Sequence, residues 1–333
     1  MESQRIWSRL RPLAVRSFFA LSWVLLRYLF LVLLLAVLPF VTNEYQQYVI
    51  NVSFVYVLVS VGYNVILGFA GQFAFANHAI LAVGAYATAL LSLRGLSVPL
   101  AIIVSALSGA LVCMAMLIPA LRLSRYYLAI ATVSLGEAVR WILVNWYSVT
   151  GGPRGVRVPA VEAFGWVLSR PKEHYWLILP VVVGLVLLTN NLLRSGLGRA
   201  LVAIRENPVV AQSLGIDLAF YRLVAFAWGG SLVGIAGGLL AIAVGFVSPE
   251  SFGLAELVKH FTMIMIGGVG TMTGPVLGAV LVSLLSELLR STLALQEMLF
   301  GLLLLAILLV VPDGMAGSLQ RILGKRESLL RDL

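Results

Sequence analysis

Apolar runs of about 20 residues, separated by short polar breaks, recur along almost the whole chain. That is the length a helix needs to cross a hydrocarbon core about 30 Å thick, and no stretch shows the period-2 alternation of a membrane barrel. The pattern predicts an all-α, polytopic transmembrane helical bundle. Its spans are expected near residues 24–41, 48–67, 73–92, 98–120, 127–147, 175–193, 221–243, 254–269, 275–291 and 297–312. These make about 10 spans, with 8 to 10 compatible with the pattern. The intervals 68–78 and 265–275 are glycine-rich and broken, so the adjoining spans are expected to be re-entrant or discontinuous helices lining a cavity. A basic segment, 1–23, precedes the membrane domain, 24–312, and a tail, 313–333, follows it.

Composition narrows the class. The 333 residues are 61% hydrophobic and 11% charged, whereas soluble domains carry about a quarter charged residues. A soluble globular domain is excluded. No small-residue cleavage site follows the first apolar run, so that run is expected to be a retained helix rather than a removed signal peptide. With the N-terminus on the cytoplasmic side, Arg5, Arg9, Arg11, Arg16, Arg194, Arg199, Arg205, Arg222, Arg321 and Lys325 share that side. Only Arg94, Arg154, Arg157, Arg170 and Lys172 lie opposite, as the positive-inside rule requires. Topology thus accounts for the net charge of +9 without nucleic acid. The single Cys113 lies in an apolar run, and one cysteine forms no intramolecular disulfide.

Against this background the stretch from Gly196 to Tyr221 is a polar, basic island within a loop placed at 194–222. Asn207 suits an N-cap, Pro208 the first helical position, and Gly215 a left-handed helix end. They predict a helix of about two turns. Val209, Val210, Ser213 and Leu214 fall near one face, flanked by Arg205 and Glu206. Such a knob suits a groove on a soluble partner, or else an amphipathic loop resting on lipid headgroups.

Polar groups at membrane depth form a second set of candidates. Glu137 with Arg140, Glu256 with Lys259, and Glu287 with Arg290 stand three residues apart, on one helix face, where each charge partly neutralises the other. Glu137 also follows Thr132 and Ser134 well inside its span, which fits a polar pathway. Asn64, Gln72, Asn77 and His78 surround the Gly68 to Gly71 break, either lining the pore or satisfying backbone freed there. The three histidines have no ligand spacing, so no metal is expected. Clustered glycines, Gly229 to Gly238 and Gly267 to Gly278, read as close helix packing. There is no GxxxxGK[ST], GxSxG or HExxH, so neither a self-contained ATPase nor a common hydrolase is indicated, and no cofactor is expected.

Four stretches together resemble the permease subunits of branched-chain amino acid ABC importers, in particular the LivM-type member of the LivH/LivM pair. They are LGFAGQFAFANHAILAVGAYATALL (67–91), YYLAIATVSLGEAVRWILVNWYSVTGGPRGV (126–156), GRALVAIRENPVVAQSLGID (198–217) and MIMIGGVGTMTGPVLGA (263–279). The resemblance spans about residues 50–315. It implies a pore subunit paired with a sister permease, two ATP-binding cassette subunits and an extracytoplasmic substrate-binding protein, in the inner membrane. ATP is then bound by the partners. On this resemblance Arg205, Glu206, Asn207, Pro208, Val209, Val210, Leu214 and Gly215 form the element coupling to the ATPase. Asn64, Gln72, Asn77, His78, Tyr86, Thr132 and Glu137 lie near the translocation path, and Gly151, Gly152, Pro153 and Arg154 face the binding protein. Ala74 and Ala76 depart from the family's frequent Ser and Gly after Gly-Gln, which leaves urea, amides or other amino acids open as solutes. The competing class is a self-sufficient secondary transporter or channel in which Glu137 or His78 relays ions. A membrane enzyme is the third class, argued against by the lack of a catalytic constellation.

Overall fold

The computed structural model describes residues 35, 37–120, 125–159, 161–163, 166–290, 293–310 and 314–317. The segment expected at 1–23, most of the span at 24–41 and most of the tail at 313–333 lie outside them. The chain divides into two compact units, Met1–Gln47 and Tyr48–Leu333. In the first, Asn43 and Gln46 exchange hydrogen bonds: Gln46 N donates to Asn43 Oδ1 (2.8 Å) and Asn43 N to Gln46 Oε1 (3.2 Å). This reciprocal cap starts helix α1, Glu44–Asn64. Helix α1 runs on into the second unit.

There α1 passes into a π-helical turn, Val65–Phe69, and the chain then runs without helix to α2, Asn77–Leu93. After it come α3 (Val98–Ala120), α4 (Arg125–Asn145), a short α5 (Tyr147–Thr150), α6 (Pro171–Arg194), α7 (Gly196–Glu206), α8 (Pro208–Ser213) and α9 (Leu218–Val244). The last three are α10 (Leu254–Gly267), α11 (Thr273–Leu288) and α12 (Leu293–Val310). Most helices sit within a few residues of the expected spans, because an apolar run and a transmembrane helix share their ends. Where a start shifts, a cap explains it. The carboxylate of Glu173 accepts from the Ser169 and Arg170 amides ahead of Pro171, and that of Asp217 from the Ala219 and Phe220 amides, so α6 and α9 begin before their apolar runs do.

The architecture is helical as expected, with two short ladders added to it. Two small antiparallel ladders occur: β1 (Val156–Arg157) pairs with β4 (Phe246–Val247), and β2 (Val161–Ala163) with β3 (Trp166–Leu168). Strands of two or three residues are too short to show an alternation, so their sequence gave no period to read. Within the expected loop 194–222 the helix expected after Asn207 forms as α8, and a further helix, α7, precedes it. Leu201 and Ile204 bury the inner side of α7, and its basic residues disguise that stripe in the sequence.

Helices α2, α3 and α9 pack against one another, and small residues let the three approach. A methyl group built on Gly109 would come within 2.7 Å of the Gly234 Cα, and one on Gly229 within 2.7 Å of the Ile66 side chain. The glycine cluster read as a packing face is therefore one. Five described helices are long and apolar enough to cross a membrane: the α1 segment extended to Phe69, α3, α4, α6 and α9. α2 and α11 are shorter apolar helices. The α1 and α9 windows are 89% and 67% buried, but those of α3, α4 and α6 only 33%, 22% and 22%. Apolar side chains such as Leu107, Leu111, Ile130 and Trp141 therefore face outward, which is costly in water and costs nothing against lipid tails.

Candidate functional site

Helix α8 stands as its sequence predicts. The Asn207 side chain accepts from the Val209 and Val210 amides (3.1 and 3.2 Å), Pro208 fills the first position, and Gly215 ends the turn at φ +82°. Ala211 is the buried anchor. Val209 and Leu214 remain 75% and 74% exposed and Val210 is exposed too, so the apolar knob is presented outward. Arg205, at the end of α7, makes a 2.6 Å ion pair with its neighbour Glu206.

The other expected residues fall into three places. Thr132 Oγ1 on α4 accepts from the Phe75 amide (2.9 Å) and donates to the Leu128 carbonyl (2.9 Å), fixing the non-helical stretch before α2 against α4. One turn further on, Glu137 pairs with Arg140 at 2.7 Å and approaches His78 Nε2 at 3.6 Å, beyond hydrogen-bond length. His78 and Asn77 are buried there, and neither side chain has a hydrogen-bond partner among the described residues. Four expected residues, Asn77, His78, Thr132 and Glu137, thus converge where α4 meets the start of α2. Asn64 lies elsewhere: its Nδ2 donates to the Thr271 carbonyl (2.8 Å) and its Oδ1 accepts from the Gly270 amide (2.9 Å). Gln72 bonds locally to the Ala70 carbonyl (3.1 Å), and Tyr86 is buried along α2, its hydroxyl without a partner among the described residues.

The loop 150–155 occupies the opposite end of the bundle from α8. Helix α6, 24 residues and so about 36 Å long, leads from the region of that loop to α7. Helix α9 leads back from α8 to β4, which pairs with β1 just after the loop. Thr150 Oγ1 donates to the Leu143 carbonyl (2.6 Å), while Pro153 and Arg154 are exposed.

Near this end lie features the sequence only half revealed. The expected pairs Glu256 with Lys259 and Glu287 with Arg290 form at 2.8 and 3.5 Å. Lys259 Nζ also donates to the Tyr56 hydroxyl (2.6 Å), and Glu256 meets His260 Nε2 at 3.1 Å. The spacing from Glu256 to His260 was a readable signal, whereas Tyr56, 203 positions away, gave none. Two clefts adjoin this cluster, of about 200 Å³ beside Tyr56, Val247, Phe252 and Glu256, and about 180 Å³ beside Ser53, Lys259, Ser283 and Glu287. Neither of these two is lined by the residues expected on the translocation path. Among the described residues no cluster of His, Cys, Asp or Glu could hold a metal ion.

The helices and their outward apolar faces define a multi-pass helical membrane protein. The chain belongs to the family of permease components of branched-chain amino acid transport systems, whose model matches residues 46–312. It is 33% identical to the high-affinity branched-chain amino acid transport system permease protein LivM of Salmonella typhimurium, over 86% of this chain and 74% of that one. It is 27% identical to the permease protein BraD of Pseudomonas aeruginosa, over 84% of this chain and 98% of that one. A match of 24% to LivH of Escherichia coli K12 covers 79% of this chain and 91% of the relative.

Proposed function

We propose that the chain is a transmembrane permease subunit of an ABC importer that moves branched-chain or related amino acids across the inner membrane, driven by ATP hydrolysis in partner subunits. The observation that carries this reading is α8: a capped six-residue helix presenting Val209, Val210 and Leu214 outward at one end of the bundle, in a chain of this family. An apolar knob on a short rigid helix fits a groove on an ATP-binding cassette subunit, and α7 and α9 carry its movement into the bundle. Two such subunits, a LivH-type sister permease and an extracytoplasmic binding protein complete the assembly. The loop at Gly151, Gly152, Pro153 and Arg154, at the far end, faces the binding protein, and both termini lie in the cytoplasm. Solute passes near Asn77, His78, Thr132 and Glu137, where the buried Asn77 and His78 side chains have no hydrogen-bond partner among the described residues.

The approach of His78 to Glu137 favours one rival, a secondary transporter relaying protons through that pair. Proteoliposomes of the purified assembly decide between them. Leucine uptake that requires enclosed ATP and the binding protein, and survives collapse of ion gradients, is expected. Uptake by this chain alone, following a proton gradient without ATP, would establish the rival.

A further inference from the structure

We propose that Arg205 is the positioning residue that transmits movement of α8 to both broken glycine segments, acting through the carbonyl of Gly68. The inference rests on the coupling reading of α8. Arg205 occupies the last turn of α7, two residues before the Asn207 cap, and so moves with α8. Its stem lies across Gly71, where a Cβ would stand 2.6 Å from Arg205 Cγ and 3.2 Å from its Cα. Gly71 also has φ +65°, so the close approach and the backbone conformation both require glycine. Beyond it, Nη1 donates to the Gly68 carbonyl at 2.7 Å, across 137 positions of sequence. The same nitrogen borders the second break: a Cβ on Gly270 would stand 2.5 Å from it.

The other guanidinium nitrogens are aimed by Glu206, whose Oε1 accepts from Nε (3.1 Å) and Nη2 (2.6 Å). Only a planar fork satisfies Glu206 and the Gly68 carbonyl together, which a lysine ammonium cannot reproduce. Gly68 lies in the π-helical turn, just before the chain leaves the helix, where carbonyls lose their continuing turn. Asn64, one helical turn earlier, binds the Gly270 amide and the Thr271 carbonyl. The segment 268–271 is therefore fastened by Asn64 to the end of α1, one turn before the 68–71 break, and Arg205 ties that break to the α7–α8 joint. A shift of α8 pulls on both breaks at once, and these are the places where the α-helical hydrogen-bond pattern is already interrupted, by the π-helical turn at one and by non-helical chain at the other.

The test uses the whole transporter reconstituted with its ATP-binding subunits and binding protein, carrying Arg205→Gln, Arg205→Lys or, as a control on the coupling reading, Val209→Asp. The readouts are the ATP-binding subunits retained on purification and the leucine moved per ATP hydrolysed. With Arg205→Gln the complex is expected at the parent level while leucine moved per ATP falls about tenfold, with Arg205→Lys only partly restoring it. A parent ratio in both Arg205 variants would overturn the proposal. So would loss of uptake only in proportion to loss of complex, the mark of a merely structural role. If Val209→Asp keeps complex and uptake at the parent level, the coupling reading itself fails, a result separate from the Arg205 outcomes.

Discussion

At the α8 end of the bundle, long-range ties are made by individual side chains: Arg205 to the Gly68 carbonyl, Asn64 to Gly270 and Thr271. At the opposite end a backbone ladder, with Val156 opposite Val247 and Arg157 opposite Phe246, stands beside the side-chain bond from Lys259 Nζ to the Tyr56 hydroxyl. The difference concerns replaceability. A backbone ladder survives most substitutions because its donors and acceptors belong to every residue. A side-chain tie is lost with one residue, leaves buried backbone groups unpaired, and can be made and broken as the element that carries it moves. The Arg205 and Asn64 ties are suited to transmitting a motion, and the β1–β4 ladder is suited to keeping its shape.

Substitutions can break or sharpen that contrast. The largest effect is expected from Val209→Asp with Leu214→Asp, which puts charge on an apolar contact surface: uptake should fall at least about 30-fold, the scale of losing a contact worth about 2 kcal/mol, while membrane insertion persists. Quantitative uptake beside immunodetection of membrane-inserted protein reads this. Asn64→Leu comes next, because it removes both partners of the 270–271 backbone at about 1–3 kcal/mol for each group left unpaired. A lowered thermal midpoint in detergent, together with reduced uptake, is the expected result. Thr132→Val removes one hydrogen bond to the Phe75 amide and should cost about 1 kcal/mol in the same melting assay. The smallest effect should follow Arg157→Ala in the β1–β4 ladder, within about 0.5 kcal/mol of the parent, since only a side chain is removed. A destabilisation there as large as that of Asn64→Leu would erase the contrast.

Much of the helical layout was legible because lipid imposes a simple rule on apolar length, and α8 was legible because Asn207, Pro208 and Gly215 each have one suitable position in a helix. The three Glu and basic pairs were legible for the same local reason. What escaped the sequence was either too short for a period, as in β1 to β4, or too distant along the chain. The bond from Arg205 to Gly68 links a loop-like basic residue to a backbone carbonyl, and no residue type advertises a carbonyl partner. The π-helical turn at Val65–Phe69 likewise sits in an ordinary apolar run, and only Gly68 within it and Gly71 after it hint that the helix ends there. Of the expected path residues, His78, Thr132 and Glu137 gather in one place, while Asn64 serves the break instead.

The central claim is that α8 receives the drive from ATP-binding subunits. The most direct measurement is purification of the tagged protein from its native membrane in mild detergent, with mass spectrometry of what stays bound, for the parent and for a variant with residues 208–214 scrambled. The account expects P-loop ATPase subunits and a second permease with the parent, and loss of the ATPase subunits alone with the variant. Equal recovery of ATPase subunits with both, or recovery of the parent chain by itself in a form that moves leucine without ATP, would contradict it.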